Sequence, residues 1–425
     1  MLCTAQAQLK IKHAGDIMTC RAKLPEGAHP ETTPCIFQAN GRYYITITTG
    51  FSVLIPFRDG MEPKDLFDRE DVLSLEEAHI VTDSFVGYGA SQNGGDWTPE
   101  RLVNADASWQ EGHPYWQREY FGLFDLSVIE QDGKQYLLGV MHGENKNEKF
   151  LDGRKYLNSI QPKRAYRENE YSGPEEKNGR LEYDDYGASY FAFISTVLVP
   201  LDRMSERFDT PEFQQGPIVW PTTGYLNPDN TRANSGLRHP SMFVAEGKIT
   251  LYYLDADKIR SAQAPLEALG RPGSFLGCRD GAYIVPMLPD GFTKDSRAFF
   301  GQGVGSMDVM TDSSCSIRFS VAKIKDSDYY LGIEEYSDCW PQCGLRFRLS
   351  NDMVHWSDPC EIPDMNYANY NDGSLHYPAF LTQQMESTGE IDLDDFYIVG
   401  EYGCNIGHPV IQCRHFSLTL QTISK

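Results

Sequence analysis

Apolar residues recur along this chain with the two-residue period of half-buried strands, and almost nowhere with the 3.6-residue period of helices. Strands are predicted over Tyr43–Thr49, Tyr136–Met141, Tyr190–Val199, Thr250–Leu254, Tyr329–Ile333, Phe396–Val399 and Val410–Leu420. Single helical turns are predicted at Pro63–Asp68 and Pro265–Leu269. One phrase recurs five times: a short apolar strand, a turn, and a second strand rich in Tyr, Ile and Leu. Its clearest copies are His239-Pro-Ser-Met-Phe-Val-Ala-Glu-Gly-Lys-Ile-Thr-Leu-Tyr-Tyr253, Asp125-Leu-Ser-Val-Ile-Glu-Gln-Asp-Gly-Lys-Gln-Tyr-Leu-Leu138 and Thr33-Pro-Cys-Ile-Phe-Gln-Ala-Asn-Gly-Arg-Tyr-Tyr44. Looser copies begin at Arg318 and Tyr377. Gly after Asn, Asp or Glu between two such runs is a hairpin signal, because both turn residues must accept a positive φ. A hairpin repeated at irregular spacing predicts an all-β fold, a five-bladed β-propeller with variable loops between blades.

Two stretches break the pattern. Residues 145–185 are polar and charged and predict a surface insertion; residues 209–235, rich in Pro, Asn, Thr and Gly, predict irregular structure. No Pro- or Ser-rich linker divides the chain, so residues 26–425 are expected to form one propeller and residues 1–25 an N-terminal tail or signal remnant. The Ala5-Gln-Ala7 triplet is like the end of a secretory signal, although the basic and apolar regions of one are missing, and on it rests the expectation of a secreted or periplasmic protein.

Composition narrows the partners. A net charge of −22 excludes a phosphate-binding surface of clustered Lys and Arg, so no nucleic acid is expected. An anionic membrane is disfavoured for the same reason, and no apolar run reaches the length of a spanning helix, so no membrane insertion is expected. The ten cysteines show no zinc-like spacing; Cys35 and Cys413 lie in strand-like runs and read as small buried hydrophobes. One or two disulfides would suit an exported protein.

The segment Leu345-Arg-Phe-Arg-Leu-Ser-Asn-Asp-Met-Val-His-Trp-Ser-Asp358 is an alternating strand, a Ser-Asn-Asp turn and a Trp. Ser and Asx side chains close such a turn on their own backbone, and the Trp is expected to pack between sheets. This phrase, with the hairpins above, resembles the blades of glycoside hydrolase family 43 and its relatives in families 32 and 68. The resemblance runs from about Pro34 onward as a blade pattern. It implies a five-bladed propeller, a carbohydrate substrate, no required cofactor and, as in some members, a structural calcium on the axis.

In such a fold the inner-strand entrances and second-strand exits line one pocket. The entrances are Thr33, Asp125, His239, Arg318 and Tyr377; the exits bring His142 and Glu144, Asp255 and Asp257, Glu334 and Glu335, and Glu401. Carboxylates, His and Arg match sugar hydroxyls, and an aromatic wall such as Trp116 covers the apolar ring face. Other aromatics near that face are Tyr115, Trp220, Tyr225 and Trp340. Glycoside hydrolysis usually needs one ionised and one protonated carboxyl, about 6.5–9.5 Å apart for inversion and about 5 Å for retention. Asp125 is the expected base, set against a turn-closing role; Glu335 is the expected acid, with Glu144 its rival and Glu334 pointing to the opposite side of its strand. His142, Arg238, His239, Arg318, His376, Tyr377 and Trp116 are the expected substrate-binding residues, His239 set against a satisfied core histidine.

The family pattern is broken at two entrances. Thr33 stands where family 43 presents its base, and Arg238-His-Pro240 resembles the Arg-Asp-Pro of family 32 with His in place of Asp. The resemblance nevertheless implies a glycoside hydrolase acting on a plant or algal oligosaccharide, inverting if family 43 is its neighbour and retaining if family 32 is. The alternatives are a non-catalytic carbohydrate-binding propeller that has lost the standard acids, and an interaction propeller whose pocket is filled by the insertion.

Overall fold

The computed structural model describes residues 6–25, 28, 30, 32–48, 51–83, 120–145, 175–177, 180–182, 191–210, 212–220, 237–255, 258–288, 290–291, 304, 306–313, 315–339, 342–367, 375–402 and 410–423. Five sheets of four or five strands make a five-bladed β-propeller. Chain order begins with β1 (Gln6–Thr19). Blade one is β2 (Cys35–Ala39), β3 (Arg42–Thr48), β4 (Phe51–Pro56) and β5 (His79–Asp83). Blade two is β6 (Tyr120–Gln131), β7 (Lys134–Asn145), β10 (Phe191–Pro200) and β11 (Gln214–Val219); a small hairpin, β8 (Glu175–Lys177) and β9 (Arg180–Glu182), lies within its sequence. Blade three is β12 (Leu237–Ala245), β13 (Lys248–Asp255), β14 (Lys258–Pro265), β15 (Leu276–Arg279) and β16 (Ala282–Pro286). Blade four is β17 (Cys315–Ile324), β18 (Tyr330–Cys339), β19 (Gln342–Ser350) and β20 (Cys360–Tyr367). Blade five holds β21 (His376–Leu381), β23 (Phe396–Tyr402) and β24 (Val410–Ile423), while β22 (Glu390–Ile391) leaves it to pair in parallel with β17.

The three clear hairpins form as their sequences require. Asn40-Gly41, Asp132-Gly133 and Glu246-Gly247 all have both φ values positive, between 51° and 76°, the twist that matches two antiparallel strands. Trp356 packs against Phe319 of blade four and Tyr252 of blade three, with ring centroids 4.8 and 6.0 Å away, so the Trp of the outer-strand phrase is an inter-blade wedge. Ahead of it, Ser350 Oγ accepts the Met353 N–H at 2.9 Å and Asp352 Oδ1 the His355 N–H at 2.8 Å, closing the turn on its own backbone.

Two expectations fail. Residues 6–19 are not a tail: β1 pairs with β24 from Gln6↔Ile423 to Thr19↔Gln412, so the first strand is the outermost strand of the last blade. Its alternation is interrupted by bulges between Ile11 and His13 and between Ala14 and Ile17, which hides the strand period. Within the stretch expected to be irregular, β11 forms the outer edge of blade two. Gly216 and Pro217 sit where an edge strand tolerates them, with register shifts on either side.

A loop of blade five bridges other blades. From blade five, Ser387 N donates to Ile36 O at 2.6 Å in blade one, and Gly389 O accepts the Lys323 N–H at 2.7 Å in blade four. Gly389 also lies against Phe243 of blade three. This loop of blade five thus reaches three other blades.

Candidate functional site

Four of the five inner strands are irregular at their entrances. Register shifts fall between Leu123 and Asp125, Arg238 and Ser241, Ser316 and Arg318, and His376 and Ala379. A bulge breaks strict alternation and re-aims side chains, so these strands can turn consecutive residues toward the axis. His239 and Tyr377 hold φ values of 45° and 53°, and both precede a proline. Such backbones cost of order 1–3 kcal/mol in a non-glycine residue and persist where the surroundings over-determine them. Gly400 is one such determinant: a Cβ there would come within 2.7 Å of His376 O and of Leu375.

Inner strands of different blades share no continuous main-chain ladder, and bulges free further backbone groups. Side chains satisfy these groups in a closed ring. The Cys35 thiol donates to Asp125 Oδ1 at 3.4 Å, and Met242 N–H donates to Asp125 Oδ2 at 3.0 Å, tying blade one to two and two to three. His239 Nδ1 bonds Ile317 O at 2.8 Å, Ser241 donates to Phe319 O, and Arg318 Nη1 donates to Pro240 O at 3.1 Å, tying three to four. Ser320 donates to Pro378 O at 2.7 Å, and Tyr377 N–H donates to Glu335 Oε2 at 2.8 Å, tying four to five. Thr33 Oγ1 donates to Tyr377 O and closes the ring on blade one.

Inside the ring lies a cluster of rings around one guanidinium. Phe124 stands 5.2 Å from His142 and 6.0 Å from His239; His239 stands 4.9 Å from Tyr377. Arg318, fully buried, lies 5.9 Å over the Phe124 face and feels both Asp125 and Glu335. Its Nε reaches Ser320 Oγ at 3.3 Å, while Nη2 is a buried donor with no hydrogen-bond partner among the described residues. Burial pulls the Arg318 pKa down, and the neighbouring acids oppose that. An unpaired buried N–H costs about 1–3 kcal/mol unless a ligand oxygen meets it.

His239 has a fixed tautomer. A carbonyl only accepts, so Nδ1 carries the proton bonded to Ile317 O and Nε2 is left as an acceptor. Burial, with help from His142 and the Arg238 charge, lowers its pKa to about 3, so the ring is neutral at pH 7. A neutral imidazole with an open Nε2 accepts a hydroxyl proton.

The acidic residues differ in burial. Asp125 is half-buried as a residue, whereas Asp255, Glu334, Glu335 and Glu401 are each no more than 1 % exposed. Burial raises the Asp125 pKa; Arg318 and the amides of Met242 and Leu126 pull it back. The same Asp125 oxygens also raise the Cys35 thiol pKa, behind burial as the main cause. Glu335 is held by His376 Nδ1 at 2.5 Å and by Tyr377 N–H. Glu334, on the opposite side of β18, sits in a separate buried network, 2.9 Å from Arg346 Nε and 2.7 Å from Arg348 Nε.

Of the residues read from sequence, the structure thus gathers Asp125, His142, His239, Arg318, Glu335, His376 and Tyr377. Arg238 stands half-buried beside His239 and contributes its charge there. The side chain of Glu144 and all of Tyr115, Trp116, Tyr225, Asp257 and Trp340 lie outside the described residues. Trp220 is fully buried and its backbone bonds Met287, a core position. Sequence reasoning missed Phe124, Cys35, Ser241 and Ser320; a Ser or Thr near each entrance was the available signal. Among the described residues no group of three His, Cys, Asp or Glu is arranged to hold a metal, and the Arg318 charge stands in the ring, so they do not fit an axial calcium.

No protein-family model matches the sequence, and no curated protein matches it. Solved structures similar to it include the catalytic domain of the Coprinopsis cinerea GH62 α-L-arabinofuranosidase, at 9 % identity and a TM-score of 0.44, covering 95 % of this chain and 96 % of that one. The Cellvibrio cellulosa α-L-arabinanase complexed with arabinohexaose follows at 9 % and 0.39, covering 91 % of each chain. An exo-β-1,3-galactanase from Clostridium thermocellum matches at 11 % and 0.41, covering 93 % of this chain and 61 % of that one. At these values the likeness says nothing about residue roles.

Proposed function

We propose that this propeller is a glycoside hydrolase that binds a sugar unit of a plant or algal oligosaccharide at the axis and uses Asp125 as the catalytic carboxylate. One observation carries the reading: among the described acids at entrances and exits, Asp125 is the residue that is half-buried where the others are fully buried. Around it stand groups suited to hydroxyls, namely the unpaired Arg318 Nη2 donor and the His239 Nε2 acceptor, beside the Phe124 and Tyr377 rings. Burial raises the Asp125 pKa, while Arg318 and two backbone amides oppose that and work toward the ionised form that a water-activating base requires.

The proton donor is assigned to Glu144 in preference to Glu335. Glu335 is sealed, with both oxygens engaged, and serves to hold Tyr377 in its strained backbone. Glu144 occupies a position two residues beyond His142 in β7, the same-face spacing of a strand. Inversion is the expected stereochemistry, which calls for carboxyl groups about 6.5–9.5 Å apart, and export of the enzyme is expected with it.

A second reading, a non-catalytic carbohydrate-binding propeller, has its own observation: both Asp125 oxygens already accept protein donors. A screen of aryl glycosides and plant and algal oligosaccharides separates the two. Turnover, with the product anomer followed by NMR, supports the hydrolase. Binding by calorimetry without turnover on any substrate supports the lectin-like reading, and neither binding nor turnover removes both.

A further inference from the structure

The seam that closes the propeller carries a pair of imidazoles remote from the axial cluster. His13 of β1 and His415 of β24 face each other across the first and last strands, with ring centroids 5.6 Å apart and planes tilted by 51°. His13 is exposed, and His415 retains 28 % of its side-chain exposure. The β1 bulge between Ala14 and Ile17 brings Gly15 between them. A Cβ on Gly15 would lie 3.5 Å from His13 Nε2 and 3.3 Å from the His415 Cβ, so the missing side chain leaves the corner between the rings open. On its other edge, His415 Nε2 bonds Asp395 Oδ1 at 2.8 Å.

That spacing has a chemical meaning. With metal–nitrogen bonds of about 2.0–2.1 Å and about 1.1 Å more to each ring centre, two imidazoles on one tetrahedral ion have centroids about 5.2 Å apart. The observed separation is a few tenths of an ångström longer, within a small side-chain rotation. Asp395 on Nε2 orients the ring, fixes its tautomer with the proton on that nitrogen, and leaves Nδ1, the nitrogen nearer Cβ, as the ligating atom. Imidazole nitrogen selects zinc, nickel or copper over calcium or magnesium.

We propose that His13 Nε2 and His415 Nδ1 together bind one divalent transition-metal ion, with water completing its shell and Asp395 as the supporting carboxylate. The ion links the first strand to the last and so fastens the seam of the ring. It stands apart from the axial site and does not depend on the hydrolase reading.

The test uses the full untagged chain, stripped with a chelator and titrated with zinc chloride by calorimetry. One equivalent should bind with micromolar affinity, and saturating zinc should raise the melting temperature by about 3 °C. Calcium chloride should do neither. His13→Ala and His415→Ala should each weaken zinc at least tenfold and abolish the thermal shift, while Asp395→Asn should weaken it about tenfold or more. Metal-free melting of each variant shows whether the fold is intact; Gly15→Val, which fills the corner and leaves both ligands present, must also lose the site. Zinc binding that survives in the His13→Ala/His415→Ala double variant, or no binding below millimolar zinc in the wild-type chain, overturns the proposal.

Discussion

Asp125 and Glu335 face the same ring and both accept a backbone N–H from the next blade, at 3.0 and 2.8 Å, yet Asp125 is half-buried where Glu335 is fully buried. The difference arises from what surrounds them. Glu335 meets a buried histidine as well as the Tyr377 amide, and the pair fills its own space. Asp125 instead meets a small cysteine, and Arg318 stands across from it. An acid at an inner-strand entrance is thus a reactive candidate, while an acid at a second-strand exit of another blade is a structural tie. A strand-end carboxylate is informative about chemistry only once its access and its partners are known.

The largest expected effect is on the less buried side. Asp125→Asn should lower kcat/KM on a cleaved substrate by about 10³-fold, the scale of losing a general base. Because the amide cannot accept from both Met242 and Leu126 while presenting its own N–H₂, a drop of a few degrees in melting temperature should accompany it. Turnover equal to wild type would remove Asp125 from catalysis and erase the contrast.

Arg318→Lys keeps the charge between the two acids but loses the fork that places Nη2. KM should rise about tenfold or more, with kcat less affected, if that donor meets a substrate hydroxyl. An unchanged KM would make Arg318 a purely structural member of the ring.

On the sealed side, Glu335→Gln should reverse the balance. Stability in urea should fall by about 2 kcal/mol or more, because His376 and the Tyr377 amide lose a charged acceptor. Activity per folded molecule should stay within a few-fold of wild type. A loss of kcat matching that of Asp125→Asn, with stability intact, would make Glu335 the proton donor after all.

The smallest effect is in pH dependence. The folded pKa of His239, about 3, lies below the ordinary value near 6.5, so the unfolded chain binds the extra proton between those values. Stability gained from the neutral ring is complete above about pH 6.5 and is lost as pH falls toward 3. Urea titrations across that window should show a shallower acid slope in His239→Gln than in wild type. Identical slopes would mean that His239 is charged in the folded protein and does not offer Nε2 as an acceptor.

Much of the fold was legible because its signals are local. Asn40-Gly41, Asp132-Gly133 and Glu246-Gly247 specify their turns through positive φ alone, and Trp356 announces itself by the Ser-Asp turn that precedes it. The first strand was not legible, since bulges break its period and its partner, β24, is distant in sequence. The entrance residues were found because the repeat marks where each inner strand begins. Their roles were not: Thr33 at an entrance, like Ser241 and Ser320 just inside theirs, satisfies the backbone of a neighbouring blade.

By itself the sequence determined the hairpins, the five-fold repeat and the set of polar residues that meet at the axis, because strand period and turn stereochemistry depend on neighbours in the chain. Only the tertiary structure decided which acidic residue is less buried, which histidine is neutral, and where a guanidinium N–H is left unpaired. Solvent access, desolvation and hydrogen-bond partners come from residues that the chain brings together from different blades, and no local pattern encodes them.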